Sequence, residues 1–202
     1  MKAATGGVNT HKGAIFSLGI YCAALGMGFD GEKSDAAAAL ARCGEMTRAQ
    51  MGRELEAIAA GSARTFGEAI YQRRGVGGVR AEAAGGFVSV REAGLPRLGA
   101  ALDAGLCLSD AGLCALVALM GRTEDTNALR RGGEAAARKL REVAAALADE
   151  IGASIADGTI GGRMEEFRAR LARWDAEMSA ARISPGGCAD LLALTLLAHF
   201  MR

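Results

Sequence analysis

The sequence has little of three things: proline, aromatic side chains and excess charge of one sign. Its only two prolines are Pro96 and Pro185, so most of its 202 residues can form uninterrupted helices. Aromatic residues make up 4% of the chain although half of all residues are hydrophobic, and alanine supplies much of that apolar content. Because alanine has the highest helix propensity, the composition favours an all-α protein.

The charges balance, with 24 Lys and Arg against 23 Asp and Glu and a formal net charge of +1. This balance excludes the global basic field that is typical of nucleic-acid-binding proteins. Apolar runs are interrupted by charge or glycine before they reach the roughly 20 residues needed to span a bilayer. Residues 1–13 lack the cationic-then-apolar order of a signal peptide. We therefore predict a cytoplasmic protein that binds neither nucleic acid nor membranes.

Cysteine pairs at metal-binding or redox spacing are also missing. The five cysteines are an odd number and include no CxxC pair, which argues against both a disulfide framework and a zinc site. We expect them to be small core residues in a reducing compartment. They are Cys22, Cys43, Cys107, Cys114 and Cys188.

Helical periodicity dominates what remains, and no strand-like alternation of convincing length occurs. Residues 12–27 are apolar nearly all round, which predicts a central buried helix. Residues 34–43 predict a short alanine-rich helix. Thr47 and Gln50 fit a capping box, which predicts that a separate helix begins there and runs to about residue 60.

The rest of the chain predicts a series of helices between glycine-rich breaks. Gly75, Gly77 and Gly78 predict one break, and residues 94–96 predict a turn. Ser184 is expected to cap the last helix, with Pro185 as its first residue. No linker or repeat divides the chain, so we predict a single compact all-α domain over residues 1–202 with buried central helices. The remaining predicted helices are residues 64–73, 80–92, 96–104, 109–120, 140–151 and 164–181.

Polar residues with chemical potential gather at four glycine-rich helix starts, of which the first is residues 5–13. Its glycines let backbone N–H groups approach a ligand, and Thr10 can cap the helix that follows. The free N–H groups of a helix N-terminus and the charge of Lys12 together suit phosphate. No glycine immediately precedes Lys12, so this is not a Walker A loop. An ordinary capped helix with surface His11 and Lys12 fits the same pattern.

The second and third starts combine glycine with charge. Residues 75–83 are similar to a dinucleotide-binding loop, but Arg80 replaces the last glycine and no strand precedes the loop. Arg80 and Glu82 do not share a helical face, so one could bind a ligand while the other orients a neighbour. Residues 124–133 place two carboxylates before two arginines, a set that suits Mg²⁺ with a substrate phosphate. A flexible turn and a solvated helix start are the alternatives.

The fourth start is residues 184–190. Two glycines just inside a helix cost roughly 1 kcal/mol each relative to alanine. Close approach of a ligand or of a neighbouring helix is therefore expected at Gly186 and Gly187. Asp190 lies on the first turns of a very apolar helix, where a carboxylate must be paired, metal-bound or near the surface. Tight helix packing around a paired Asp190 is the alternative.

The order of these blocks is more specific than any one of them. The blocks are residues 7–19 (GVNTHKGAIFSLG), residues 80–83 (RAEA) with Gly86-Phe87, residues 124–127 (EDTN) with Arg131-Gly132-Gly133, and residues 184–187 (SPGG) followed by residues 189–192 (ADLL). In this order they resemble the triphosphoribosyl-dephospho-CoA synthase family of the CitG type. The resemblance extends from residue 7 to about residue 200.

The resemblance implies an all-helical transferase that acts on ATP and 3′-dephospho-CoA. A ribose hydroxyl of dephospho-CoA would attack the anomeric carbon of the ATP ribose. Adenine would leave, and the triphosphate would stay on the transferred sugar. The product would be the prosthetic-group precursor of citrate lyase or malonate decarboxylase.

The resemblance also implies roles for individual residues. Carboxylates would stabilise the positive charge that develops on the sugar, and cations would hold the triphosphate. Glu82 is the candidate base and His11 the candidate acid, with Glu124 and Asp125 completing the catalytic set. Mg²⁺ would be bound by Glu124, Asp125 and Asp190. The predicted substrate-binding residues are Asn9, Thr10, Lys12, Arg80, Asn127, Arg130, Arg131, Ser184, Gly186 and Gly187.

The sequence departs from the family in one major respect. Family members carry an upstream stretch with a Pro-Gly-Leu-Val-Asp run and a Gly-x-His-Lys-Asp-Met type motif, and this sequence contains neither. Three readings stay open: a transferase, alone or as one half of a split enzyme, a non-catalytic nucleotide-binding or assembly subunit, and a relative that keeps the blocks only for packing. We expect either a homo-oligomer or a partner chain that supplies the missing segment.

Overall fold

The computed structural model describes Ala3 and residues 11–29, 35–61 and 63–201. Within these residues all regular secondary structure is helical, which confirms the predicted all-α class. No helix in these ranges is long and apolar enough to cross a membrane. The elements are α1 (Lys12–Met27), α2 (Ala36–Ala60), α3 (Phe66–Arg74), α4 (Gly78–Ala84), a π-helical segment (Val90–Gly94), α5 (Leu95–Asp103), α6 (Leu108–Arg122), α7 (Thr126–Ala156), α8 (Ile160–Ala180) and α9 (Gly186–Phe200).

The central helix is α6, which packs against α5, α7, α9 and the π-helical segment. The prediction that α1 is a central buried helix is therefore wrong, although its bounds are confirmed. Only Ser17, Tyr21 and Ala24 of α1 are buried, while Ile15 and Met27 are each 68% exposed. The physical reason is that α1 packs along one side against α2, α4 and α9, so its apolar residues on the other side have no helix over them in the described structure.

The α2 helix is continuous, so the prediction of two helices with a new start at Thr47 is wrong. Asp35 caps α2 by accepting hydrogen bonds from the N–H groups of Ala37 (2.8 Å) and Ala38 (3.3 Å). Thr47 lies mid-helix, with its hydroxyl 2.7 Å from the carbonyl oxygen of Cys43 and 2.8 Å from that of Ala83. A threonine with such carbonyl partners is stable inside a helix and does not begin one.

Between α4 and α5 the structure differs from the predicted helix over residues 80–92. The α4 helix ends in a Schellman turn, in which the N–H of Phe87 bonds to the carbonyl of Glu82 and Gly86 adopts a positive φ of 71°. Phe87 also has a positive φ (53°), which is unusual for a bulky residue, and its side chain is fully buried. The chain reverses here and then resumes as a helix at residue 88.

The predicted turn at residues 94–96 is wrong, because the π-helical segment runs directly into α5. The lack of a side chain at Gly94 lets α9 pack closely, because an added Cβ would overlap the hydroxyl of Thr195 on α9. Pro96 lies in the first turn of α5, where a missing N–H is tolerated.

The second half of α7 and helix α8 form a second core cluster with α5 and α6. Leu140, Ala144, Leu147 and Ile151 of α7 are buried, as the periodicity predicts, and Val143 at the edge of that face is 39% exposed. Glu150 on α7 also anchors α8, because its carboxylate accepts hydrogen bonds from two arginines of that helix. These are Arg163 (2.6 Å) and Arg170 (2.8 Å).

The α9 helix begins at Gly186, one residue later than predicted, and Ser184 does not cap it. The cap comes from a distant carboxylate: the N–H of Cys188 donates to Asp125 over 3.0 Å. Cys188, Leu191, Leu194 and Ala198 are buried, so α9 is a core helix.

Candidate active site

The N-terminal ends of three helices meet at one cleft of about 920 Å³. Helix α1 contributes Lys12 and Gly13, α7 contributes Thr126 and Asn127, and α9 contributes its first glycines. The first turn of a helix presents N–H groups without intrahelical partners and a partial positive charge. The cleft is therefore suited to an anionic ligand.

Most of the predicted site residues lie in this cleft. His11 is described, but it does not line the cleft, and Asn9 and Thr10 lie outside the described residues. The four blocks are far apart in the sequence, so their meeting is a property of the fold. The predicted residues that line the cleft are Lys12, Arg80, Glu82, Glu124, Asp125, Asn127, Arg130, Arg131, Ser184, Gly186, Gly187 and Asp190.

Asp125 joins the starts of two helices. One carboxylate oxygen caps α7 by accepting from the N–H groups of Asn127 (2.7 Å) and Ala128 (3.1 Å). The other accepts from the N–H of Cys188 in α9. Asp125 is 4% exposed, and an added Cβ on Gly187 would lie 3.0 Å from its Oδ2 atom. The carboxylate is thus committed to backbone donors, and the second glycine of α9 lets it approach.

Asp190 joins α9 to the start of α1. Its carboxylate interacts with the backbone of Ala14, and an added Cβ on Gly13 would overlap it. Burial raises the pKa of the Asp190 carboxyl above its usual 3.8, and the nearby charge of Asp125 acts in the same direction. Gly13 is required by this close approach.

Glu82 is held by Ser89, a residue that the sequence did not single out. The Ser89 hydroxyl donates to one carboxylate oxygen of Glu82 over 2.5 Å, and the Ser89 N–H donates to the other over 3.2 Å. Ser89 is 4% exposed, and both residues line the cleft. The two hydrogen bonds fix the plane of the Glu82 carboxylate.

Arg80 lies on the same short helix but has a different partner. Its guanidinium donates to Glu54 of α2 over 3.0 Å, and Glu54 lines the cleft. Hydrogen bonds from Gln50 and then Arg80 hold the pKa of Glu54 below its usual 4.5. Arg80 and Glu82 therefore have different partners, Glu54 and Ser89.

The charged residues of the third block differ in their pairing, since Glu124 has a partner and the two arginines have none among the described residues. Glu124 accepts from Arg74 over 2.6 Å, so its charge is already compensated. Neither Arg130 nor Arg131 forms an ion pair with any other described residue, and both are exposed at the cleft. A guanidinium without a carboxylate partner is free to bind a phosphate in a bidentate manner.

The three carboxylates predicted to bind Mg²⁺, those of Glu124, Asp125 and Asp190, all line the cleft. Among residues 11–29, 35–61 and 63–201, no group of three or more His, Cys, Asp or Glu side chains is placed to hold a metal ion. Glu124, Asp125 and Asp190 therefore form no ready-made cage. Mg²⁺ is commonly bound by one or two carboxylates together with substrate phosphates. The residues fit an ion that arrives with a phosphate ligand.

Several residues of the cleft were not predicted from the sequence, and three of them carry charge or hold a charged neighbour. Glu54, Ser89 and Arg122 line it, but each reaches it through tertiary packing. Glu54 precedes its partner Arg80 by 26 residues, and Arg122 pairs with Glu92, which is 30 residues away. No local spacing signal marks such pairs, whereas the glycine-rich starts are visible as motifs.

Comparison with known proteins agrees with the resemblance of the motifs. The family model described as CitG: ATP:dephospho-CoA triphosphoribosyl transferase matches residues 1–202. The 2-(5''-triphosphoribosyl)-3'-dephosphocoenzyme-A synthase of Pectobacterium atrosepticum is 38% identical over 208 residues, which cover 99% of this chain and 62% of that protein. A Pseudomonas fluorescens protein, named as a probable synthase of the same kind, is 36% identical over 197 residues with the same 62% coverage.

The chain thus spans about three fifths of the length of these relatives. No solved structure gives a significant match. The match over the full chain, together with the position of the four blocks around one cleft, confirms the family resemblance of the sequence. The chain belongs to the CitG family of ATP:dephospho-CoA triphosphoribosyl transferases.

Proposed function

We propose that the cleft binds ATP and 3′-dephospho-CoA and transfers the triphosphoribosyl group of ATP to a ribose hydroxyl of dephospho-CoA. The observation that carries this proposal is the convergence of four separate sequence blocks on one cleft. The blocks bring phosphate-binding groups and carboxylates to the same place. The reaction needs both, because it holds a triphosphate while positive charge develops on a sugar.

The phosphate-binding side consists of the helix starts and of Arg130 and Arg131, which form no ion pair within the described part of the chain. Arg130 and Arg131 lie in the first turns of α7, close to the positive end of that helix. Lys12 adds a cation at the start of α1. Helix N-termini and bidentate guanidinium groups are the standard protein ligands for phosphate. We assign the triphosphate to this side of the cleft.

The carboxylates carry the sugar chemistry. The acceptor hydroxyl would form a bond to the anomeric carbon and lose its proton to Glu82, while the bond to adenine breaks and its electron pair leaves with the base. Departing adenine needs a proton. Asp190 is better placed than His11 to supply it, because it lines the cleft and burial raises its pKa. Asp125 would act by positioning α7 and α9.

Mg²⁺ would enter with the triphosphate, whose negative charge it would partly neutralise when bound. Of the three predicted ligands, Glu124 would hold the ion, because Asp125 already accepts three backbone hydrogen bonds and Asp190 is assigned to the proton transfer. The arginines and helix starts would orient the phosphates independently of the ion.

The test is adenine release by the purified chain supplied with ATP, Mg²⁺ and dephospho-CoA, followed by chromatography. We expect adenine and the triphosphoribosylated product in equal amounts. Replacing Arg131 with alanine should weaken ATP binding about 10-fold or more, because one charge-assisted contact contributes about 1.5–3 kcal/mol. Arg138→Ala, on the same helix but outside the cleft, is the matched control and should leave binding unchanged. A folded chain that neither binds ATP nor releases adenine would refute the proposal.

One observation favours a second candidate, a nucleotide-binding half of a split enzyme or an assembly subunit. Ile15 and Met27 of α1 are each 68% exposed and have no helix over them in the described structure, so a second chain could cover this side of α1. Under this alternative the chain binds ATP in calorimetry but releases no adenine until a second chain is added. ATP binding with adenine release by the chain alone would exclude it.

A further inference from the structure

Glu82 has an unusual degree of support for a carboxylate at the rim of a cleft. Both of its oxygens are engaged by one residue, through the hydroxyl and the N–H of Ser89. A hydroxyl that donates to a carboxylate over 2.5 Å is a strong, charge-assisted contact. Ser89 itself is buried and cannot rotate freely to other partners.

The backbone that carries Ser89 is also fixed. The turn between α4 and the π-helical segment lies against α2, where an added Cβ on Gly86 would be 2.6 Å from the carbonyl oxygen of Leu40. Gly44 of α2 is also close to this turn, since an added Cβ there would be 3.0 Å from the Gly86 N atom. Thr47 holds the end of α4 through the Ala83 carbonyl. The position of Ser89 is therefore set by α2.

We propose that Ser89 is a positioning residue that aims the Glu82 carboxylate into the cleft for proton abstraction from the acceptor hydroxyl. This inference rests on the proposed function. A general base must lie within hydrogen-bond reach of the proton it removes, so its orientation determines the rate. With both oxygens anchored on one side, the remaining lone pairs of the carboxylate are available to a substrate in the cleft.

A purely structural reading makes a different prediction. The helix that begins at residue 88 has free N–H groups in its first turn, and Glu82 caps one of them by accepting from the Ser89 N–H. Ser89→Ala keeps that backbone cap and removes only the hydroxyl. A structural role for the hydroxyl would change stability without a specific effect on turnover.

The experiment measures initial rates of adenine release at saturating and limiting ATP. Ser89→Ala should lower kcat about 10- to 100-fold through misorientation of the base, with KM for ATP changed less than about threefold. Ser89→Thr retains the hydroxyl and should restore most of the rate. Ser154→Ala is the matched control. Ser154 is also a buried serine with side-chain hydrogen bonds, but it lies on α7 away from the cleft, so its replacement should leave kcat unchanged.

A double-mutant cycle separates positioning from stability. Glu82→Gln should lower kcat about 10²- to 10⁴-fold, the usual contribution of a general base. Adding Ser89→Ala to Glu82→Gln should then cost no further activity, because the group that the hydroxyl positions is gone. Independent, multiplying effects would overturn the inference, as would an unchanged kcat in Ser89→Ala. If the wild-type chain releases no adenine, the proposed function and this inference are refuted together. If the wild-type chain releases adenine and Ser89→Ala has the same kcat, only the inference is refuted.

Discussion

The contribution of the third hydrogen bond of Asp125 to stability can be measured against a matched control. Asp125 and Asp35 cap their own helices in the same way, each through the N–H groups two and three residues on. Only Asp125 also accepts from a second helix, through the N–H of Cys188. Asparagine is as good an N-cap as aspartate, so Asp→Asn at either position keeps the local cap.

The expected loss of stability in Asp125→Asn follows from the hydrogen bond that asparagine cannot accept. Its single carbonyl oxygen can keep the α7 cap, but the amide group that replaces the other oxygen cannot accept from the Cys188 N–H. Cys188 is fully buried, so that its N–H loses the one partner that it has among the described residues and cannot turn to water instead. An unsatisfied buried donor costs about 1–3 kcal/mol. At roughly 2–4 °C per kcal/mol for a chain of this size, Asp125→Asn should lower Tm by roughly 2–12 °C.

The assay is thermal and urea unfolding of both variants, followed by circular dichroism. Asp35→Asn should change the free energy of unfolding by less than about 0.5 kcal/mol, because asparagine is as good an N-cap as aspartate. Any loss of helix-dipole interaction is common to both variants and cancels when their stabilities are compared. Equal losses for Asp125→Asn and Asp35→Asn would show that the link between α7 and α9 adds no stability, and would refute the reasoning.

Three further outcomes are expected from other parts of the fold. Gly13→Ala should lower Tm because the new methyl group overlaps Asp190, whereas Gly19→Ala in the same helix meets open space and should raise stability by up to about 1 kcal/mol; melting curves compare the two. Hydrogen bonds from Arg168 hold the pKa of the Asp110 carboxyl below its usual 3.8. This carboxylate therefore stabilises the fold above pH 3.8, and the stabilisation is lost as the pH falls through its folded-state pKa. Arg168→Ala should weaken the dependence of the free energy of unfolding on pH in this acid range, which urea unfolding at several pH values measures. Burial raises the pKa of the Cys43 thiol to about 11, so in a native thiol titration only the exposed cysteines should react quickly, and denaturation should release the others. The exposed cysteines are Cys22 and Cys107, and the buried ones are Cys43, Cys114 and Cys188.

Helix class and many helix bounds could be predicted from the sequence because they depend on local pattern. The errors occur where a tertiary contact decides between two local readings. The pattern of threonine followed three residues later by Glu or Gln occurs at Thr47 and again at Thr65. Only Thr65 forms a capping box, with Glu68, because Thr47 instead meets the carbonyl of Ala83 on another helix. The same cause explains why Ser184 does not cap α9, whose cap comes from Asp125.

The part of the candidate site that consists of glycine-rich helix starts could be predicted from the sequence. Gly13, Gly186 and Gly187 are visible in the sequence, and the structure explains each by the close approach of a side chain. The partners that hold the carboxylates were not visible. Ser89 reaches Glu82 only because the chain reverses at Phe87 with a positive φ, a conformation that no residue preference for phenylalanine would predict.

The meeting of α1, α7 and α9 at one cleft also links ligand binding to the folding of the chain. These helices come from the beginning, the middle and the end of the described sequence, so the cleft exists only when distant parts of the chain have come together. A ligand that occupies it binds the native state and not the unfolded one. At 100 times its Kd such a ligand adds about 2.7 kcal/mol to the free energy of unfolding. Thermal-shift screening of nucleotides and CoA fragments can therefore rank ligands for this cleft without any assay of turnover.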